Sequence, residues 1–136
     1  MSDFSNLIEV LSCSSRISKK FELSLGAVHG LGLNEYFVLY YLDDSNTALS
    51  RIALADQLGL TASGVTRMLN PMEKLGLIER QANERDARLS LVKLSSAGAL
   101  KFKNAKKSID RVVKDILSEL KRDEKVILAT LLNKIA

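Results

Sequence analysis

The sequence predicts a mostly α-helical protein with a small β wing. Three observations predict this fold class. Two amphipathic helical segments joined by a glycine-bearing turn lie in the middle of the chain. Two short segments of partly alternating apolar and polar residues follow them directly, and long apolar stripes with helical spacing lie towards both termini.

The central segments predict a helix-turn-helix. The first helix is expected over residues 51–58, and Gly59 supplies the turn. Thr61 is a good N-terminal cap for the second helix, because its hydroxyl can accept a bond from an unpaired backbone N–H. Gly76 suits the left-handed position just beyond the helix end.

The second helix has two faces. One is apolar and is expected to be buried, with residues spaced by one turn: Val65, Leu69 and Met72. The other is polar: Ser63, Thr66, Arg67 and Asn70. Such a helix packs on a core with one side and presents hydrogen-bonding groups on the other.

The two segments that follow predict a β-hairpin over residues 77–81 and 89–94. The connecting loop, 82–88, has no large apolar residue and is expected to be solvated. It contains Arg85 and Arg88, with Asp86 between them. A helix-turn-helix followed by a charged hairpin is a winged helix, a shape that can engage two adjacent grooves of DNA.

These residues resemble the winged-helix domain of MarR-type transcriptional regulators. The similar motifs are LADQLGLTASGVTRML, MEKLGLIER, the D-x-R of the wing and LSSAG, which resembles the family's L-T-x-x-G. They occur in order at family spacing, and the flanking helices extend the resemblance in outline over nearly the whole chain. Two departures are Ser95 for the usual Thr and Pro71 inside the second helix, where we expect a bend.

The polar helix face and the wing are the expected DNA-binding site. Arg67 can pair with guanine and Asn70 with adenine, each by two hydrogen bonds. Ser63 and Thr66 can contact phosphate, base edges or the thymine methyl group. The resemblance implies that the arginine at the Arg88 position enters the minor groove, with Asp86 near enough to hold its guanidinium. The alternative, a merely solvated helix face, is disfavoured by the wing that follows.

The terminal helices predict a homodimer. Helices are expected over residues 4–28, 35–42 and 96–120 and at the C-terminus, with Asn34, Ser95 and Asp123 as caps for the last three. The apolar faces of the terminal helices can be buried only against each other, and exposing these faces to water is unfavourable. The resemblance implies that the terminal helices of two subunits interleave. We therefore expect residues 1–33 and 96–136 to form a helical dimerisation region and 34–95 the DNA-binding winged helix; the alternative is a monomer.

Composition limits the other function classes. The chain has 136 residues, a net charge of +4 at pH 7, one cysteine and one histidine. One Cys and one His form neither an intrachain disulfide nor a zinc site, so we expect no enzyme activity, no cofactor and no metal. No apolar run approaches the roughly 18 residues of a membrane span, and no signal peptide is evident. We expect a cytoplasmic protein with no membrane partner.

A small-molecule site is a further hypothesis. Members of the family that this chain resembles often bind phenolic or other aromatic carboxylates between the dimer helices and the winged helix. By that resemblance the candidate ligand-binding residues are Arg16, His29, Tyr36 and Tyr40. The alternative is that the tyrosines pack in the core and His29 lies in a surface turn. Cys13 is either a peroxide-sensing thiol, as in one branch of the family, or an inert side chain.

Taken together, the sequence predicts a transcriptional repressor. It would bind a pseudo-palindromic operator as a homodimer, with release by a small aromatic or phenolic ligand. Two alternatives remain open: a thiol-based peroxide sensor acting through Cys13, and a winged helix used for protein–protein contact.

Overall fold

The computed structural model describes residues 2–86 and 90–136. Within these ranges the chain forms six helices and one three-stranded antiparallel sheet, so the predicted fold class is confirmed. The helices are α1 (Asp3–His29), α2 (Leu33–Ser45), α3 (Arg51–Leu58), α4 (Ala62–Lys74), α5 (Ser96–Ile116) and α6 (Arg122–Ile135), and the strands are β1 (Leu49–Ser50), β2 (Ile78–Ala82) and β3 (Ser90–Leu94). Among these residues no helix is both long and apolar enough to cross a membrane.

The helix-turn-helix forms where the sequence predicts it. The Thr61 hydroxyl caps α4 by accepting from the Gly64 backbone N–H at 3.1 Å. Gly59 and Gly76 both have left-handed backbone angles, which glycine adopts without strain. Pro71 does not end α4, which continues to Lys74; the bend expected there stays a prediction.

The sheet contains a strand that the sequence did not predict. β2 and β3 form the expected hairpin, and β1 pairs with the other edge of β3, with Leu49 opposite Val92. Because β1 has only two residues, it has too few for an alternating pattern to be recognised. It ties the start of α3 to the wing.

Two predicted helix caps are wrong. Helix α2 starts at Leu33, capped by Gly32, and not after Asn34. Helix α6 starts at Arg122, capped by Lys121, and not after Asp123. In both cases a glutamate three residues after the cap accepts the cap's backbone N–H at 2.8 Å: Glu35 for Gly32 and Glu124 for Lys121. This glutamate bond is one half of a capping box, and it stabilises the N-terminus of each helix although neither cap residue is Ser, Thr, Asn or Asp.

One hydrophobic core joins the winged helix, with its helix α2, to α1 and α5. The predicted apolar face of α4 is buried, with Val65, Leu69 and Met72 at most 1% exposed. It packs with residues from α1, α2, α3, β3 and α5, including Leu25, Leu39, Leu54, Val92 and Phe102. The core therefore fixes which side of α4 faces outward.

Hydrogen bonds of the LSSAG segment, residues 94–98, hold the start of α5 against the turn after α4. Ser95 is buried and caps α5, as predicted: its hydroxyl accepts from the Gly98 N–H at 2.9 Å. The same hydroxyl donates to the Gly76 carbonyl at 2.5 Å, and the Ser95 N–H donates to the Leu77 carbonyl at 3.2 Å. One residue thus connects α4, β2 and α5.

Burial of Tyr36 leads us to expect that the folded protein loses stability at high pH. It is 5% exposed and its ring lies 5.5 Å from that of Phe102, centroid to centroid. Burial raises the pKa of its phenol to about 12, and charge on Asp110 and Tyr40 acts in the same direction. The unfolded chain loses this proton near pH 10 and the folded chain near pH 12, so the contribution to stability is present below pH 10 and is lost between these values.

We therefore expect wild type to lose about 2–3 kcal/mol more than Tyr36→Phe between pH 9.5 and 12. Urea unfolding of both proteins across this range measures the difference, and lysine titration, common to both, cancels. Parallel pH dependences would contradict the expectation.

Candidate nucleic-acid interface

The polar face of α4 lies on the protein surface. Ser63, Arg67 and Asn70 are exposed, and Thr66 is half-buried. Because the opposite face of the helix is packed in the core, these four side chains lie on the outward side of a fixed helix. The structure brings together the four residues that the sequence predicted on this helix.

Thr66 is held by a residue that the sequence analysis missed. Its hydroxyl donates to the Ala62 carbonyl at 3.0 Å and accepts from Arg51 Nη1 at 2.9 Å. The hydroxyl proton is therefore used within the helix, which leaves the Thr66 methyl group as its simplest contact for a base. Arg51 begins α3, where a cation opposes the helix dipole. That unfavourable position was the available signal that Arg51 has another role.

Asn70 is held by a second missed residue. Arg80, from β2, donates from Nη2 to Asn70 Oδ1 at 2.8 Å and from Nε to Glu73 Oε2 at 2.5 Å. Asn70 and Glu73 lie three residues apart on α4, so a single guanidinium bridges both to the hairpin. Sequence periodicity places Arg80 on a strand but does not show which helix that strand packs against.

An asparagine side chain at the start of the wing loop bonds to the loop backbone. Asn83 Oδ1 accepts from the backbone N–H groups of Arg85 and Asp86, at 2.8 and 3.3 Å. The Arg85 side chain is exposed and Asp86 is half-buried. Arg88 lies outside the described residues, so its predicted role and its pairing with Asp86 stay predictions.

The four candidate ligand residues do not line one common cavity. Arg16 lines a cavity of about 710 Å³ between α1, α2 and α6, together with Cys13. Tyr36 and Tyr40 line a second cavity of about 350 Å³, and Phe21 and Phe37 line both cavities. Three of the predicted ligand residues are thus distributed over two cavities, and the ligand site stays a prediction.

His29 and Cys13 have separate environments. The last residue of α1, His29, forms a 2.8 Å hydrogen bond between its Nε2 and Ser108 Oγ of α5. Cys13 is exposed on the same helix, which is continuous between them, so the two side chains are about 24 Å apart at 1.5 Å per residue. They form no catalytic pair. Among the described residues no cluster of three or more His, Cys, Asp or Glu can hold a metal ion.

The fold and this surface define a class: a winged helix-turn-helix, DNA-binding transcriptional regulator. Comparison with known sequences gives the family. A family model described as "MarR family" matches residues 29–89. The chain is 31% identical over 128 residues to the HTH-type transcriptional regulator BilQ of Clostridium symbiosum, covering 92% of this chain and 80% of that protein. It therefore belongs to the MarR family, as the sequence motifs predicted.

Another curated relative has a similar description, and solved structures share the fold. An uncharacterized HTH-type transcriptional regulator of Bacillus subtilis, YdgJ, is 26% identical over 129 residues, covering 95% of this chain and 76% of that protein. The fold is similar to that of a MarR family regulator from Rhodococcus sp. RHA1, with a TM-score of 0.87, 18% identity and coverage of 99% and 95%. It is also similar to a mutant of MarR from E. coli complexed with operator DNA, with a TM-score of 0.78, 22% identity and coverage of 99% of both chains.

Proposed function

We propose that this protein is a sequence-specific transcriptional repressor that binds a pseudo-palindromic operator as a homodimer. The observation that supports this most directly is the exposed polar face of α4, held outward by a buried opposite face. A major groove admits one helix and presents a distinct donor and acceptor pattern for each base pair. Because the proposed function requires access to DNA, we also propose that the protein acts in the cytoplasm.

Each part of the surface has a role in this proposal. Arg67 pairs with guanine, Ser63 contacts phosphate or a base edge near the helix N-terminus, and the Thr66 methyl group contacts thymine. Arg85 and Arg88 of the wing contact the backbone and the minor groove, whose A·T-rich stretches concentrate negative potential. Arg51, beside Thr66, adds a cation for a phosphate.

The accessible surface of the chain supports the dimer. It amounts to 9652 Å², about 2,600 Å² more than a compact monomer of 15.0 kDa exposes. Every residue of α6 is exposed, and so are the apolar Phe4, Leu7 and Leu11 of α1. Obligate dimer interfaces bury roughly 2,000–5,000 Å² in total, or about 1,000–2,500 Å² from each partner, so a large interface with a second copy of this chain accounts for most of the excess. We propose residues 1–33 and 96–136 as the dimerisation region and 34–95 as the DNA-binding domain.

We further propose that a small aromatic ligand releases the DNA. A structural neighbour, the organohalide-sensing regulator RdhR, was solved with bound 2,4-dichlorophenol; its TM-score is 0.82 at 22% identity, with coverage of 99% of this chain and 80% of that chain. Here Arg16 offers a cation beside an apolar cavity, and Tyr36 and Tyr40 line the next one. A carboxylate or phenolate against Arg16 with its ring on Phe21 or Phe37 fits that chemistry. A change in the separation of α1 and α2 would then move the two winged helices relative to each other.

Selection of bound duplexes from a random pool tests the proposed function. We expect an enriched site of two inverted half-sites, with centres about one helical turn apart. Failure to enrich any sequence at low salt would contradict sequence-specific binding. It would favour use of the winged helix for protein contact.

Arg67→Ala tests base readout. We expect a loss of about 1–3 kcal/mol in operator binding and relaxed preference at one position in each half-site, because a bidentate arginine–guanine pair is lost. Lys74→Ala is the control: it removes an exposed cation from the end of the same helix. It should leave base preference unchanged. Binding of Arg67→Ala with wild-type affinity and preference would refute the assignment.

We expect the wing arginine Arg88 to contribute to the salt dependence of DNA binding. Arg88→Ala should weaken binding and lower the slope of log affinity against log salt by roughly 1 per wing. The loss should be largest on operators with A·T-rich flanks. Asp86→Ala should also weaken binding if Asp86 positions Arg88. Titrations of one operator at two salt concentrations decide this, and tighter binding by Asp86→Ala would exclude the positioning role.

A further inference from the structure

We propose that Arg80 is a specificity-determining positioning residue, which fixes the Asn70 amide so that its NH₂ group is presented to the DNA. The inference rests on the proposed sequence-specific binding, and it changes what Asn70 recognises. The sequence alone suggested adenine as its partner. The contacts of Arg80 point to guanine instead.

The orientation of the Asn70 amide follows from hydrogen-bond chemistry. A guanidinium has only donors, so the amide atom 2.8 Å from Arg80 Nη2 must be the oxygen. In the flipped amide two donors would face each other. The oxygen and nitrogen are the two separate polar groups of one planar amide, so the bond from Arg80 engages the oxygen and leaves the NH₂ group of this exposed side chain outside that contact.

Glu73 makes this orientation persistent. An arginine on a surface strand has many rotamers, and a single hydrogen bond holds it weakly. Here the Nε of Arg80 is also paired with the Glu73 carboxylate at 2.5 Å, and the side chains of Arg80 and Glu73 are only 34% and 39% exposed. Two contacts from one planar group fix its plane as well as its position. Arg80 therefore holds Asn70 in one orientation before DNA arrives.

The base that such an amide recognises differs from the usual one. An asparagine pairs with adenine by accepting from N6 and donating to N7, which needs both its oxygen and its nitrogen at the base edge. The Asn70 oxygen has two lone pairs, but one already accepts from the Arg80 cation, which makes the oxygen a weaker acceptor for the N6 of adenine. The NH₂ group keeps its full capacity as a donor. Guanine presents two adjacent acceptors, N7 and O6, to such a donor. Arg80 thus shifts the preference of Asn70 from adenine towards guanine.

The test compares random-duplex selections for wild type and for three single variants, Arg80→Met, Arg80→Lys and Asn70→Ala. The double variant that combines Arg80→Met with Asn70→Ala is selected in the same way. The position read by Asn70 is the one at which Asn70→Ala relaxes preference. We expect guanine there in wild type, and Arg80→Met should lower the guanine-to-adenine ratio about tenfold, because the amide can then flip. Arg80→Lys keeps the charge but lacks the planar fork, so it should also lower the ratio. In the Asn70→Ala background, Arg80→Met should change nothing at that position.

Other outcomes would overturn the inference. If Arg80→Met weakens all duplexes equally, lowers the salt slope and leaves the ratio unchanged, Arg80 is a phosphate contact. If it changes the ratio in the Asn70→Ala background too, Arg80 reads the base directly. If Asn70→Ala changes preference nowhere, or wild type prefers adenine at that position, the amide is not fixed as proposed. Wild type that selects no duplex rejects the proposed function itself, and the inference with it. Thermal unfolding of each variant checks that a lost preference is not lost folding.

Discussion

Gly98→Ala is expected to destabilise the protein by about 3 kcal/mol, at the upper end of what one inserted methyl group costs. A Cβ at position 98 would lie 1.9 Å from the Leu77 carbonyl oxygen and 3.2 Å from a methyl carbon of Leu94. The oxygen belongs to the backbone and accepts the Ser95 N–H, so it cannot move away without breaking the junction. The first turn of α5 would have to shift from β2. Urea denaturation measures the loss.

Gly26→Ala is the matched control for this substitution. Gly26 lies inside α1, and a Cβ there would meet nothing within 4 Å. Alanine should raise stability by up to about 1 kcal/mol, as expected for glycine replaced within an exposed helix. Equal stability of the two variants would mean that α5 accommodates the methyl group by a small shift. The close approach of Gly98 to Leu77 would then not be what requires glycine in the LSSAG segment.

The helix-turn-helix was predictable because each of its boundaries has a local cause. Thr61 caps α4 by its own hydroxyl, Gly59 and Gly76 adopt left-handed angles, and the apolar spacing of α4 matches its buried face. The starts of α2 and α6 were mispredicted for a different reason. There the capping interaction comes from a glutamate three residues inside the helix, and the cap residue itself gives no signal.

The polar face of α4 was predictable, but the contacts that orient its side chains were not. Thr66 is held by a residue from α3, and Asn70 by one from β2. Periodicity along one helix shows which side chains share a face, but not which neighbouring element reaches them. Arg51 and Arg80 therefore became visible only in three dimensions, although they determine which donors and acceptors the face presents.

The second large effect is expected at the C-terminal helix. Leu131→Asp should abolish the proposed dimer and lower stability strongly, because a carboxylate buried in an apolar interface loses hydration without gaining a partner. In the single chain Leu131 is 54% exposed, and the other apolar residues of α6 are also exposed. If the protein were a monomer, this substitution would therefore be nearly neutral. Light scattering of wild type at micromolar concentration should report twice the 15.0 kDa chain mass, and Leu131→Asp should not.

Asn133→Asp is the matched control, because it adds the same charge to an exposed polar position two residues further along α6. It should leave both the mass and the unfolding temperature nearly unchanged, since a solvated carboxylate is not desolvated. Operator affinity should follow the mass: a monomeric variant has one recognition helix, so its binding free energy falls to about that of a single half-site. A monodisperse wild-type monomer would refute the proposed dimer. A Leu131→Asp protein that stays dimeric with unchanged stability would show that α6 is not in the interface and that another surface covers the apolar stripes.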